Sequence, residues 1–174
     1  MAKRANTIFH DEELLVTLPS ASFLVHVDDN NATWTKKWVG SKVDWAWQEP
    51  EGFYLCELKD PECKGALLHP QPTGKPSHAD ITINKLIGET FPNEFAANVR
   101  DTLANQPHAK AATNIRYIVV AAISHSNFMS AVAMTAGDII KRDLAKMQID
   151  IPVVVLNIAE WNAQLAPRKL DRVL

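Results

Sequence analysis

The tetrapeptide Glu49-Pro50-Glu51-Gly52 constrains the fold of this chain more than any other short stretch. Proline at the second position and glycine at the fourth are the preferences of a type I β-turn. Lys42–Gln48 and Phe53–Lys59 flank it, and both are rich in the aromatic and apolar residues of strands. A turn centred between Pro50 and Glu51 sets the register of the hairpin. Gln48 then pairs with Phe53, Ala46 with Leu55, Asp44 with Glu57 and Lys42 with Lys59. On the other face Trp45 meets Cys56 and Trp47 meets Tyr54, an aromatic side that calls for a packed layer.

That register has a chemical consequence. Asp44 and Glu57 fall opposite each other on one face, with Cβ atoms about 4.5–5.5 Å apart. Like charges so placed repel, and a shared hard cation removes the conflict. Lys59 points to the same face as Glu57, two residues on. An ammonium there is placed to orient a metal-bound water, assist its deprotonation or offset charge on a phosphate. The plain structural reading is a solvent-facing strand with an exposed ion pair of little energetic weight.

The rest of the chain supplies a scaffold. Its 174 residues suit one domain, spanning 1–174, with a core of useful size. A net charge of −2 excludes a broadly basic nucleic-acid binder, so any basic patch is local. Cys56 and Cys63 are too few for a disulfide framework, which predicts a reducing, cytoplasmic setting. The N-terminal stretch lacks the apolar run of a secretory signal. No apolar run approaches the roughly 20 residues of a membrane span, so no membrane partner is expected.

In chain order, HDEELLVTL predicts a helix ending before Pro19, with Leu14, Leu15 and Leu18 on one face. Ser22–Val27 predicts a strand, and the hairpin adds two more. Asp60–Asp80, with four prolines and two glycines, predicts a long irregular loop of the kind that is often functional. A helical stretch follows from Ile81 to Ala104, interrupted near Phe91–Pro92. Ile115–Ser124 and Pro152–Ile158 have the β-branched content of buried strands, with a helix over Phe128–Met147 between them. Three consecutive strands followed by two helix-linked ones predict an α/β fold with a mixed central sheet flanked by helices.

Val43-Asp44, a spacer, and Glu57-Leu58-Lys59 on the next strand resemble the signature of the PD-(D/E)XK nuclease superfamily. Val43 stands where the proline often lies. The resemblance covers Asp11–Ser124 and implies a restriction-endonuclease-like core, αβββαβ, with an added helix and strand from Phe128 to Ile158. It implies a Mg²⁺-dependent (or Mn²⁺-dependent) endonuclease, a phosphodiesterase acting on nucleic acid, DNA or RNA. Asp44, Glu57 and the Leu58 backbone carbonyl would hold the metal, and Lys59 would position or activate the water. Some members add a glutamate from the first helix; Glu12 borders the apolar face of that helix and is preferred to Glu13. A nuclease of this size commonly works as a homodimer or with a partner protein. The alternative is a non-catalytic nucleic-acid-binding or assembly subunit that keeps the nuclease fold.

Other residues also carry side chains suited to chemistry. Trp34, Lys36, Lys37 and Lys42 are candidate nucleic-acid contacts, aromatic and basic together. With Trp38, the first three read equally well as a solvated turn with packed indoles. Cys56, Cys63, His69 and His78 lack the close spacing of zinc ligands and read as ordinary core and loop residues. His26 reads as a partly buried structural histidine, and Ser124-His125-Ser126 as strand-end capping. Lys141, Arg142 and Lys146 suit a helix C-terminus. Asn98 and Arg100 are both candidates to face the active side of the sheet. No glycine-rich nucleotide loop is present.

Overall fold

The computed structural model describes residues 7–11, 13–27, 40–124, 128 and 130–173. Its centre is a five-stranded mixed sheet of β3 (Phe23–His26), β4 (Trp45–Glu49), β5 (Gly52–Lys59), β6 (Ile115–Ala121) and β7 (Val153–Leu156), in that spatial order. β3, β4 and β5 form an antiparallel meander, and β6 and β7 join parallel to β5. The hairpin has the register that its turn predicts: Trp45 pairs with Cys56, Ala46 with Leu55, Trp47 with Tyr54 and Gln48 with Phe53.

Strand alternation gives this sheet two different faces. Ala46, Phe53, Leu55, Tyr117 and Val119 face a helical layer of α2 (His78–Ile87), α3 (Thr90–Asn105) and α5 (Ser130–Lys146). Trp45, Trp47, Tyr54, Cys56, Ile118 and Val120 face the other way. They pack on α6 (Ile158–Gln164) and on a small sheet of β1 (Thr7–Asp11), β2 (Leu14–Leu18) and β8 (Lys169–Arg172). Trp161 of α6 meets Trp47 with ring centroids 6.3 Å apart. The aromatic face of the hairpin therefore closes a second core, as its composition requires.

Two sequence expectations are corrected here. The predicted leading helix is a β-hairpin, with β1 antiparallel to β2 and β2 antiparallel to β8. Leu14, Val16 and Leu18 are buried in alternation, and that period of two prevails over the helical spacing of Leu14, Leu15 and Leu18. A five-residue run fits both periods, and the pairing with the C-terminal strand decides between them. The observed order thus opens with strands where the αβββαβ core has a helix, while the mixed α/β sheet stands. The Asp60–Asp80 loop, in turn, contains α1 (Lys64–Leu68) and the start of α2. Ser77 caps α2 by accepting from the Asp80 amide at 3.1 Å, and Asp80 accepts the Ser77 amide at 3.0 Å.

The interruption near Pro92 is the junction between α2 and α3, with Pro92 in the first turn of α3, where its missing N–H is harmless. α4 (Pro107–Ala111) leads into β6. Among the described residues no helix is long and apolar enough to cross a membrane.

Candidate active site

The site is built by the last residues of β5. Phe53 and Leu55 point into the helical layer, and alternation sends Glu57 along the same row. Glu57 is carried inside, 1 % exposed. Lys59, next in the row, reaches the rim. Its ammonium donates to Glu57 Oε1 at 3.1 Å and lies 5.5 Å from the centroid of the Phe95 ring.

Asp44 arrives from the other strand. The β4–β5 ladder ends at Trp45–Cys56, so Asp44 is not a ladder partner of Glu57, nor Lys42 of Lys59. Asp44 Oδ2 instead accepts the Leu58 amide at 2.7 Å, and its carbonyl accepts the Val27 amide at 2.8 Å. The approach to Asp44 is clamped by α3. Asp101 Oδ2 accepts the Ser41 amide at 2.9 Å, and Thr102 Oγ1 accepts the Val43 amide at 3.2 Å. Gly40 has φ +124°, and a Cβ there would meet Asp101 Oδ2 at 2.5 Å, so only glycine allows this close passage.

α3 also supplies Asn98, which is buried and donates from Nδ2 to Glu57 Oε1 at 3.1 Å. Phe95, Asn98 and Thr102 recur at helical spacing and so share the face that meets the site. Of the two α3 candidates, Asn98 reaches Glu57, whereas Arg100 is exposed and pairs with Asp101 at 2.7 Å.

The electrostatics follow from burial. Desolvation, then the Asp44 charge, push the Glu57 carboxyl up to about 8, against the pull of Lys59 and Asn98. Burial opposes the Lys59 charge, but Glu57 and Asp44 outweigh it and raise the ammonium above the ordinary lysine value. Glu57 Oε1 thus receives both donors, while Oε2 is buried with no hydrogen-bond partner among the described residues. An orphaned buried acceptor costs about 1–3 kcal/mol, so a partner at Oε2 would be favourable.

A cleft of about 450 Å³ opens at this end of the sheet. Asp44, Leu58, Lys59 and Asp60 line it, with His26 and Phe91 among its walls. Asp60 is held away from new ligands by Arg172, which donates to both of its oxygens at 2.8 Å.

The donor set suits a hard cation. Asp44 and Glu57 bring carboxylate oxygens, and Glu57 Oε2 has no hydrogen-bond partner among the described residues. Lys59 gives its carbonyl to the Ala122 amide on the β6 side, while the Leu58 amide faces Asp44. Strand alternation sends the Leu58 carbonyl to the Asp44 side as well. Among the described residues no group of three or more His, Cys, Asp or Glu side chains is disposed to hold a metal, so a cation here would rest on two carboxylates and backbone.

The remaining candidates fall out as follows. Glu12, Trp34, Lys36 and Lys37 lie outside the described residues, as do Trp38, His125 and Ser126. Lys42 is half-buried and is not among the cleft residues. Glu13 accepts the Lys64 amide at 2.8 Å. Cys56 is buried in the second core, Cys63 precedes α1, and His78 Nε2 contacts the His69 carbonyl at 2.9 Å. Ser124 Oγ donates to Glu62 at 3.0 Å, a strand-end role. Arg142 and Lys146 pair with the buried Asp143 at 3.1 and 2.7 Å. His26 differs from expectation: it is exposed and stacked flat on Trp45. Phe95, Asp101 and Thr102 were not foreseen, because nothing local in α3 says which strand its polar face will meet.

Comparison with models of protein families, with curated proteins and with solved structures gives no match in any of the three.

Proposed function

We propose that this protein is a Mg²⁺-dependent nuclease of the PD-(D/E)XK kind, with Mn²⁺ able to replace Mg²⁺, hydrolysing phosphodiester bonds of DNA or RNA. One observation carries the reading. A buried Glu57 carboxyl is held on one oxygen by Lys59 and Asn98, and its other oxygen is buried without a hydrogen-bond partner among the described residues, beside Asp44 and behind a cleft that Asp44 and Lys59 line. Asp44, Glu57 and the Leu58 carbonyl would hold the cation. When bound, it supplies a water of lowered pKa and Lewis-acid stabilisation of the phosphate. Lys59, whose positive charge Glu57 and Asp44 favour, stands at the rim, where it offsets charge on a phosphate oxygen and orients the attacking water. Asn98, with Lys59, fixes the orientation of the Glu57 carboxyl. Two cysteines, Cys56 and Cys63, too few for a disulfide framework, suit the reducing cytoplasm that this reading implies.

The test is cleavage of a panel of single- and double-stranded DNA and RNA with Mg²⁺ or Mn²⁺. The wild type is expected to cut at least one substrate, and Lys59→Ala to slow the rate about 10²–10⁴-fold. A wild type that cuts nothing, or a Lys59→Ala variant as fast as wild type, overturns the reading.

A second reading has one observation in its favour. Lys59 and Asn98 already satisfy Glu57 Oε1 without any cation, as in a structural ion pair. A non-catalytic nucleic-acid-binding or assembly subunit would then keep the hairpin as scaffold. Melting temperature against Mg²⁺ separates the two. The nuclease reading predicts a rise in Tm for wild type, by about 2.7 kcal/mol of stabilisation at a hundredfold excess over Kd, and loss of that rise in Asp44→Asn. No rise in either chain favours the scaffold.

A further inference from the structure

We infer that His26 is a stacking platform for an unpaired base, and that the site takes single-stranded nucleic acid. The inference rests on the nuclease reading for its class of ligand and adds which form of that ligand the cleft accepts.

The imidazole lies parallel to the Trp45 indole, 4.3 Å between centroids and 6° between planes. Trp45 is buried and belongs to the second core, so the ring beneath is fixed. His26 is exposed and lines the cleft, and among the described residues no ring stacks on its second face. Its position is equally fixed by the backbone. His26 pairs with Trp45, and the next residue, Val27, donates its amide to the Asp44 carbonyl. A rigid aromatic face thus stands one strand away from the candidate metal ligands. Leu14 and Phe91 add apolar wall to the same cleft.

The chemistry of the occupant follows. Nucleobases present a π-face irrespective of sequence, and stacking on an aromatic side chain is the sequence-tolerant way to hold them. In a duplex those faces are covered by neighbouring pairs, so only an unpaired or frayed base can use the platform. The cleft of about 450 Å³ lies at the small-ligand end of pocket sizes and suits one nucleotide at a time. A net charge of −2 supplies no broad cationic field of the kind that tracks both strands of a duplex.

The test is binding measured by fluorescence anisotropy in EDTA, so that no cleavage occurs. The probes are one sequence as single-stranded DNA, single-stranded RNA and duplex DNA, together with the single-stranded DNA carrying abasic positions. At least one single strand is expected to bind about tenfold or more tighter than the duplex; His26→Ala should lose about tenfold on it, and His26→Phe should retain it. Abasic DNA should bind wild type about tenfold more weakly than intact DNA of the same sequence, a comparison that needs no altered protein. Duplex bound as tightly as single strands, or His26→Ala and abasic DNA without effect, overturns the inference. His26-dependent binding with no cleavage in Mg²⁺ or Mn²⁺ leaves this inference standing and removes hydrolysis. Cleavage of duplex that ignores His26 does the reverse.

Discussion

Glu57 sits at the most strained electrostatic position among the candidate site residues. Its carboxyl is held near 8 against an ordinary 4.5, so the folded chain keeps a proton that the unfolded chain releases between those values. The folded state binds more protons across that window, and stability therefore falls as pH rises through it. The contribution is fully present below about pH 4.5 and is lost as pH passes about 8. Glu57→Gln, which keeps an acceptor for Lys59 and Asn98 but cannot ionise, should escape this loss. In metal-free buffer its Tm should exceed that of wild type above pH 8, with the gap closing toward pH 5. Calorimetry across that range checks it, at about 2–4 °C per kcal/mol for a chain of this size. A gap that stays constant with pH would mean that Glu57 ionises normally. At this scale the sequence was informative about Asp44, Glu57 and Lys59 because strand alternation depends only on counting. It was silent on the orientation of Asp44, whose carboxylate turns to the Leu58 amide once the ladder stops at Trp45.

At the scale of elements, the Glu49–Gly52 turn does more than set a register. Glu49 is 2 % exposed, and Arg168, just before β8, donates to both of its oxygens. The same guanidinium reaches Glu51 and the Tyr54 hydroxyl and lies 4.8 Å from the Tyr54 ring centroid. It ties the C-terminal segment, and with it the small sheet, to the hairpin that carries the site. Arg168→Ala leaves the Glu49 charge buried without its partner and should cost about 3–5 kcal/mol in urea denaturation. Adding Glu49→Gln should recover part of that loss, because the two residues share one network. The hairpin was legible because a Pro–Gly turn is a local signal. The pairing of β2 with β8 was not, since it joins segments at opposite ends of the chain and no local preference encodes it. α6 carried a readable start, Asn157 capping Glu160, but its run of seven residues was too short to announce a helix by periodicity.

At the scale of the whole molecule, the site exists because layers of different origin meet at one end of the sheet. β5 delivers Glu57 and Lys59, the β3–β4 side delivers Asp44 and His26, and α3 closes over them with Phe95, Asn98 and Thr102. Strand order and the alternating apolar pattern made the mixed sheet readable in advance. The second core, between that sheet and β1–β2–β8, was foreshadowed only by the aromatic face of the hairpin. The central claim is that the fold gathers Asp44, Glu57 and the Leu58 carbonyl into one oxygen-donor site for a divalent cation. Its most direct test is a crystal soaked in Mn²⁺, with data recorded for anomalous scattering. The account predicts one anomalous peak at the site of Asp44, Glu57 and Lys59; full soaking with no peak at that position would contradict it.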